Sequence, residues 1–553
     1  MERLYQYDVV VVGGGTAGVS AAVGAAKTGA KTLLIERNAY LGGEATHSGV
    51  STFCGFFTCG KNPVRVVEGV GQLVLDEMGA LGPTVDYVIS ATGNYNVNFQ
   101  PEYLKCAMDN LLEKEHVDYF LHTYMTSAKV ELGSIVSIQC SDDEGSFTVM
   151  AKTFVDASGD ANLVHRSGAK LIWGGDDGHP QAATMPFRLS GVNTNCDMSP
   201  EAVGRAVRKA KEAGIPNLTR EKGFILKKEH SDIVSVLLPS VIPEGLTAAD
   251  LTHMERETRK QVLSYVQALK TYMPGMEHAE LAVIGPSIGF RETRRMVGKE
   301  TLTVDDVLTG KKCQNSVARC GWKPEIHKDV DKMATYLDVK EGSYFDIPLG
   351  ALQSENIENL YGAGRMISSD EAAFAAVRVM GTCFATGHAA GVAAVLLPIE
   401  ERAVEDGVEL GAHGLLVELV AHDGVHRRER LAHGGVARAD IDIVAVGHGS
   451  PGVALAAVAL TVGAVGRAGH GHRAVAGVVD QAVRLAGRAV RVRDLAEGVV
   501  SGVVSVRSLG LRGVRRQCRD HQAHDHGCDQ QQGQKLACSL LHRYAPFQML
   551  QDT

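Results

Sequence analysis

Three glycines and an acid give this chain its first chemistry. Gly13, Gly15 and Gly18 keep the Gly-x-Gly-x-x-Gly spacing directly after the run Tyr7–Val12, and Glu36 closes a second apolar run, Leu33–Ile35. The order strand, turn, helix, strand, acid gives each residue a task. Gly13 permits the tight strand-to-helix turn, Gly15 lets backbone approach a pyrophosphate, and Gly18 lets helix and strand pack closely. The phosphates would sit on the amides that open the helix over Val19–Lys27, and the carboxylate of Glu36 would accept ribose hydroxyls. Paired glycines at Gly42 and Gly43 let a second stretch of backbone pass close to a bulky ligand.

Other residues offer catalytic groups. In a helix, Arg291 and Arg294 or Arg295 would share a face, and their guanidinium forks could clamp a carboxylate or polarise a carbonyl. The competing reading is a structural ion-pair cluster with Glu292 or a distant acid. His327 offers general acid/base chemistry, against the ordinary alternative of a satisfied structural histidine. Cys54 and Cys59 have the C-x4-C spacing of a redox dithiol, but eleven residues separate Gly43 from Cys54, which favours small apolar thiols. His521, His524 and His526 with Cys518 and Cys528 could take zinc or nickel. No metal site is expected there, because nothing around them promises packed supporting partners.

The elements that must position these groups read as mixed α/β up to Pro398. A helix is predicted over 101–115, a strand over 116–122 and hairpin strands near 126–140 and 146–155. A turn follows at Ser158-Gly159-Asp160, charged helices fill much of 199–275, and strand and helix signals return near 345–397. Two nucleotide-fold segments, 1–170 and 346–397, thus flank a substrate or cap domain at 171–345. This gives a discontinuous Rossmann-like α/β domain with an inserted α+β domain. From Arg402 onward the chain holds one lysine, one phenylalanine, one tyrosine, no tryptophan and 11 of the 21 histidines. Residues 398–553 therefore read as an atypical, low-complexity tail, either a disordered appendage or a stretch written out of frame.

The chain has 553 residues, 45% of them apolar and 22% charged, and a net charge of −8. It can bury a large core, and it offers no basic excess to neutralise nucleic-acid phosphates. Met1 stands six residues before the first apolar strand, leaving no room for a secretory leader. Cytoplasmic, reduced thiols are therefore expected from the eleven scattered cysteines. No uncharged apolar run is read as reaching 18 residues, the nearest being Pro451 to Gly466, so no membrane partner is expected.

Several blocks together carry a family resemblance. They are Lys152–Asp160, Gly289–Arg295 with Gly298, Trp322–His327 and Asn359–Arg365, together with Arg378-Val-Met-Gly-Thr382 and the run to Gly391. With the opening glycines, the order over about 1–397 resembles the FAD-dependent oxidoreductases of the two-dinucleotide-binding-domain flavoprotein superfamily. It is distantly similar to fumarate reductase flavoproteins and GidA-like proteins. The resemblance implies FAD, with Gly13, Gly15 and Gly18 at the pyrophosphate, Glu36 at the adenosine ribose, and Arg37, Gly42, Gly43, Gly159 and Asp160 nearby. It places Gly364 and Arg365 along the ribityl and phosphate side, and the amides of Gly381 and Thr382 at the flavin pyrimidine edge. Arg291, Arg295 and His327 would then act on a small substrate bearing a carboxylate or carbonyl, in a two-electron reaction. No second Gly-x-Gly-x-x-Gly unit follows, so a built-in NAD(P)H domain is not expected. A homo-oligomer is compatible with this reading. The alternative is a flavoprotein that acts in RNA modification or as a partner-dependent electron-transfer or scaffold component.

Overall fold

The computed structural model describes residues 3–82, 85–90, 93–227, 231–405, 441–450 and 453–462. The chain divides into two units, Met1–Gly434 with Val492–Asp494, and Gly435–Arg491 with Leu495–Thr553.

The first unit is built on a seven-stranded sheet. Its strands are β1 (Arg3–Val12), β2 (Thr32–Ile35), β3 (Asp118–Phe120), β4 (Tyr124–Glu131), β5 (Ser134–Asp142), β6 (Gly145–Asp156) and β12 (Leu360–Gly362). The order is β3-β2-β1-β6-β5-β4, and β12 also pairs with β6. The pairs β3–β2, β2–β1, β1–β6 and β6–β12 are parallel, while β4, β5 and β6 form an antiparallel meander. Val9 to Val12 are at most 5% exposed, as expected of a β-branched central strand covered on both faces. Helix α1 (Thr16–Lys27) and helix α2 (Pro101–Lys114) connect parallel strands. The strand expected over 116–122 is shorter, Asp118–Phe120, because His116 and His122 both take positive φ and break the extended run.

Helix α6 (Met380–Glu405) corrects one expectation. Its segment Met380–Leu397 is 18 residues long with mean hydropathy 1.5, long and apolar enough to cross a bilayer, yet 78% of it is buried within the protein. Small residues explain this. A Cβ on Gly387 or Gly391 would fall 2.1 or 2.0 Å from the carbonyl oxygens of Ala17 and Ala21. The two helices thus meet at backbone distance, which only glycine allows here.

A second apolar core, Ala183 to Ile288, is separate. Its four-stranded antiparallel sheet has the order β8-β9-β7-β10, from β7 (Phe187–Ser190), β8 (Phe224–Lys227), β9 (Val234–Leu237) and β10 (Glu280–Ile284). Helices α3 (Pro200–Glu212) and α4 (Ala248–Tyr272) complete it; the helix signals of 199–275 were thus interrupted by strands. Leu302, Val317, Trp322 and Phe345 pack in the first core instead, so packing divides the middle of the chain before the boundary at 345.

Within the second unit the described residues form one antiparallel hairpin, β13 (Ile441–Ser450) with β14 (Val453–Val462). β-branched residues such as Ile441, Ile443, Val444 and Val446 favour the first of these strands. The histidine and cysteine group at 518–528 lies outside the described residues.

Candidate active site

Strand register brings the glycine motifs together. Val12 pairs with both Ile35 and Asp156, and Asp156 pairs with Gly362. The carboxyl ends of four parallel strands are therefore level. The segments that follow them, carrying Gly13–Gly15, Glu36–Arg37, Ser158–Asp160 and Gly364–Arg365, leave from one edge, where open α/β sheets bind ligands.

Gly13 takes φ +104° and its amide donates to Ile35 O at 2.8 Å. A Cβ on Gly18 would lie 1.7 Å from Gly13 O, so the turn closes only on glycine. Helix α1 starts at Gly15 with no side-chain cap and no acid in its first turn. Its leading amides and the positive end of its dipole are thus left for an anion. Gly42 donates to Gly14 O at 2.8 Å, and a Cβ on Gly43 would lie 2.9 Å from Gly15 Cα. Glu36, 6% exposed, accepts from Gly14 N at 2.7 Å and from Asn38 N at 2.8 Å. Gly13, Glu36, Arg37 and Ser158 line one open cavity.

Beside this edge, Arg365 Nη2 meets Asp160 Oδ1 at 2.5 Å, and Thr293 Oγ1 donates to the same oxygen at 2.9 Å. Burial opposes the Asp160 charge, yet Arg365 and Arg37 hold the carboxyl below its usual range. Gly364, at φ +80°, donates to Thr386 Oγ1 at 3.1 Å. Walls made of glycine backbone, an uncapped helix start and a ribose-competent carboxylate fit a dinucleotide with its pyrophosphate. Gly381 and Thr382 lie beneath the segment Cys54–Phe56 and lead into Cys383, whose Sγ is 3.7 Å from where a Cβ on Gly364 would stand. Gly381 N donates to Cys54 O at 2.8 Å, and a Cβ on Gly381 would fall 2.5 Å from that oxygen. Thr382, fully buried, donates its hydroxyl to Cys320 Sγ at 3.4 Å.

The arginine segment is not a helix. Arg294–Met296 is strand β11, antiparallel to Leu171–Trp173. Alternation along a strand turns Arg294 and Arg295 to opposite sides, so the expected shared face does not form. Arg294 Nε donates to Asp160 O at 2.7 Å. Arg295 is sealed against Glu292, the two side chains 2% and 0% exposed, with Phe374 5.1 Å away. Arg291 alone enters a cluster of polar groups, donating through Nη1 to Ala182 O at 2.6 Å and Thr184 Oγ1 at 2.7 Å. Burial, with Arg378 and Arg220 close by, presses its guanidinium down to about 9, which leaves it protonated at neutral pH.

His327 belongs to the same cluster, close enough for the Arg291 charge to act on it. Its Nε2 lies 3.1 Å from Glu325 Oε1, Tyr336 donates to the same oxygen at 3.2 Å, and Arg378 Nη2 donates to Glu325 O at 2.7 Å. Burial and Arg291 push the imidazole down to about 3. Nδ1 of His327, Nε of Arg378 and Nε2 of Gln181 are buried with no hydrogen-bond partner among the described residues. Sequence reasoning missed Glu325, Tyr336 and Arg378. Glu325 stood two residues before His327, the spacing that puts both on one side of an extended chain. Arg378 opened one of the family blocks but received no role, and Tyr336, which gave no local signal, arrives through its pairing with Glu325. Burial raises the thiols of Cys54 and Cys59, the reverse of what an attacking dithiol needs. Among the described residues no group of three or more His, Cys, Asp or Glu could hold a metal.

Fold and site define a Rossmann-like oxidoreductase that works with a dinucleotide cofactor. The chain belongs to the FAD dependent oxidoreductase family, whose model matches residues 8–412. It is thus an FAD-dependent enzyme. A soluble pyridine nucleotide transhydrogenase from Hahella chejuensis is 51% identical over 45 residues, 8% of this chain and 10% of that protein. The chain thus spans about a tenth of that curated relative. A geranylgeranyl bacteriochlorophyll reductase-like structure from Thermoplasma acidophilum is 14% identical, covering 78% of this chain and 88% of that one, with a TM-score of 0.37. Glycine oxidase from Geobacillus kaustophilus is 10% identical over 74% of this chain and 96% of its own, with a TM-score of 0.34. Neither likeness bears on the substrate.

Proposed function

We propose that the enzyme oxidises or reduces a small organic substrate bearing a carboxylate or carbonyl, held in the pocket of Arg291, His327 and Arg378. The observation that carries this is the convergence of two guanidinium groups on a buried histidine–carboxylate pair. Among the described residues, Arg291 uses only Nη1 on protein partners. Its remaining donors suit a planar anion. His327 holds or returns a proton at the substrate hydroxyl or amine, and Arg295 keeps β11 in place rather than touching substrate.

Gly13, Gly15 and Gly18 would hold the FAD pyrophosphate at the start of α1, with Gly42 and Gly43 on its other side. Glu36 and Arg37 would meet the adenosine ribose. Gly159, Asp160, Gly364 and Arg365 would close the edge. When bound, FAD takes or supplies the electron pair. Gly381 and Thr382 would act by seating Cys54–Phe56 across the start of α6. We also infer a cytoplasmic enzyme of small molecules without nucleic-acid or membrane partners; the eight described cysteines, all free, and the net charge of −8 support this.

The test is the visible spectrum of the purified chain, followed by anaerobic mixing with glycolate, L-lactate, glycine and L-alanine and with their amides. Bleaching of bound flavin by an acid but not by its amide is expected. Bleaching by amides and acids alike would overturn the carboxylate assignment.

A further inference from the structure

We propose that Glu325 is a positioning residue that fixes the tautomer of His327 and makes Nδ1 the proton-accepting atom of the reaction. This rests on the reading of the Arg291 pocket as the substrate site.

Geometry carries the assignment. Glu325–Ile326 is an extended pair, antiparallel to Thr335–Tyr336, so the side chains of Glu325 and His327 lie on one side. The Glu325 carboxylate receives Tyr336 at 3.2 Å and Trp322 Nε1 at 3.3 Å in addition to His327. Burial opposes its charge, but His327, Arg378 and Arg291 together hold it far below the usual carboxylate range. An ionised carboxylate only accepts, so Nε2 of His327 must carry hydrogen. The backbone on either side is pinned: His327 N donates to Gln181 Oε1 at 3.0 Å, and Ala182 N donates to His327 O at 2.8 Å. In the neutral ring Nδ1 then carries a lone pair, and it is buried, in a residue 6% exposed, with no partner among the described residues. Leaving a buried acceptor without a hydrogen is costly, and a substrate O–H or N–H would relieve it.

The proton and electrons balance simply. In oxidation the substrate gives its hydroxyl or amine proton to Nδ1 and its C–H hydrogen, with both electrons, to FAD. The imidazolium so formed faces the Glu325 carboxylate. Reduction is the reverse. The charged and titratable groups facing His327 are Arg291, Arg378 and Glu325, with Tyr336 on the same carboxylate. The two guanidinium charges disfavour the imidazolium. A substrate carboxylate on them offsets that charge, so the base strengthens when substrate is in place.

The test uses the full-length, FAD-loaded chain labelled with 15N-histidine. Long-range imidazole NMR, with His327 assigned by loss of its signals in His327→Asn, should show the Nε2–H tautomer at pH 7. Glu325→Gln should shift it toward Nδ1–H, while Glu325→Asp retains the native tautomer. Flavin bleaching by the most active of the four acids above should fall about 10²–10⁴-fold in Glu325→Gln at unchanged flavin content. An Nδ1–H or imidazolium signal in the native protein overturns the proposal even if no variant folds. So does bleaching at the native rate in Glu325→Gln. Acetate serves as the carboxylate probe: it should raise the pH at which His327 protonates. If it does not while the Nε2–H signal stands, the Arg291 substrate site fails and the tautomer assignment survives.

Discussion

The proposed cofactor edge and the polar cluster proposed to hold substrate are built from opposite materials. At the edge, Gly13, Gly15, Gly18, Gly42 and Gly43 meet backbone to backbone, and missing side chains define the site. In the cluster, His327 and Tyr336 bond the Glu325 carboxylate, Arg378 bonds the Glu325 carbonyl and Arg291 lies close by, so buried charge defines it. A backbone site depends on local conformation, which a short motif encodes. A side-chain site depends on which distant segments the fold brings together. The first should therefore fail all at once when a single atom is added, and the second should fail by degrees.

The largest effect expected is at Gly18. A Cβ there would sit 1.7 Å from Gly13 O, too close for rotamer adjustment to relieve. Gly18→Ala should yield protein with no flavin absorbance; full flavin occupancy in this variant would break the backbone account of the edge.

Arg291→Gln comes next. It should lower kcat/KM for bleaching by acids about 10–100-fold, the range for losing a hydrogen bond to a charged group, with flavin content unchanged. A parallel loss of flavin would mean that edge and pocket are one site. Arg295→Met gives the contrast, since it breaks the sealed pair with Glu292: its loss should appear in thermal stability, and kcat/KM should follow only the folded fraction.

Glu36→Gln should weaken FAD binding about tenfold, because the amide retains one acceptor and loses charge, and flavin that stays bound should bleach at the native rate. Fluorescence titration of the apoprotein reads the first and stopped-flow the second.

The smallest effect is on acid stability. Burial, with Arg37 adding to it, lowers His47 from 6.5 to about 4, and burial with Arg291 lowers His327 from 6.5 to about 3. Between those values and 6.5 the unfolded chain binds more protons than the folded one. Stability should therefore fall as pH drops below about 6.5 and be insensitive to these groups above it. Urea midpoints from pH 7 to pH 4 should show that slope, and His47→Asn should flatten part of it. An unchanged slope in the variant would show that His47 titrates alike in both states.

Legibility followed the same division. The glycine spacing, Glu36 at a strand end and the Ser158–Asp160 turn could each be read from neighbours in sequence, because φ, strand propensity and helix starts are local properties; Gly364 and Arg365 came only with the family resemblance. The arginine run could not: Arg291, Arg294 and Arg295 suit a helix face by spacing, yet pairing with Leu171–Trp173 made a strand of 294–296. Glu325 stood in plain view beside His327, but nothing local said that its charge would be buried among two arginines.

The sequence by itself determined a Rossmann-like chain with a dinucleotide motif at its start, because glycine conformations and β-branched runs need no partner to be recognised. The tertiary structure alone decided that four strands end level, that Arg295 is sealed while Arg291 is not, and that Nδ1 of His327 is buried with no partner among the described residues. Each of those follows from strand register and burial, which only the folded chain sets.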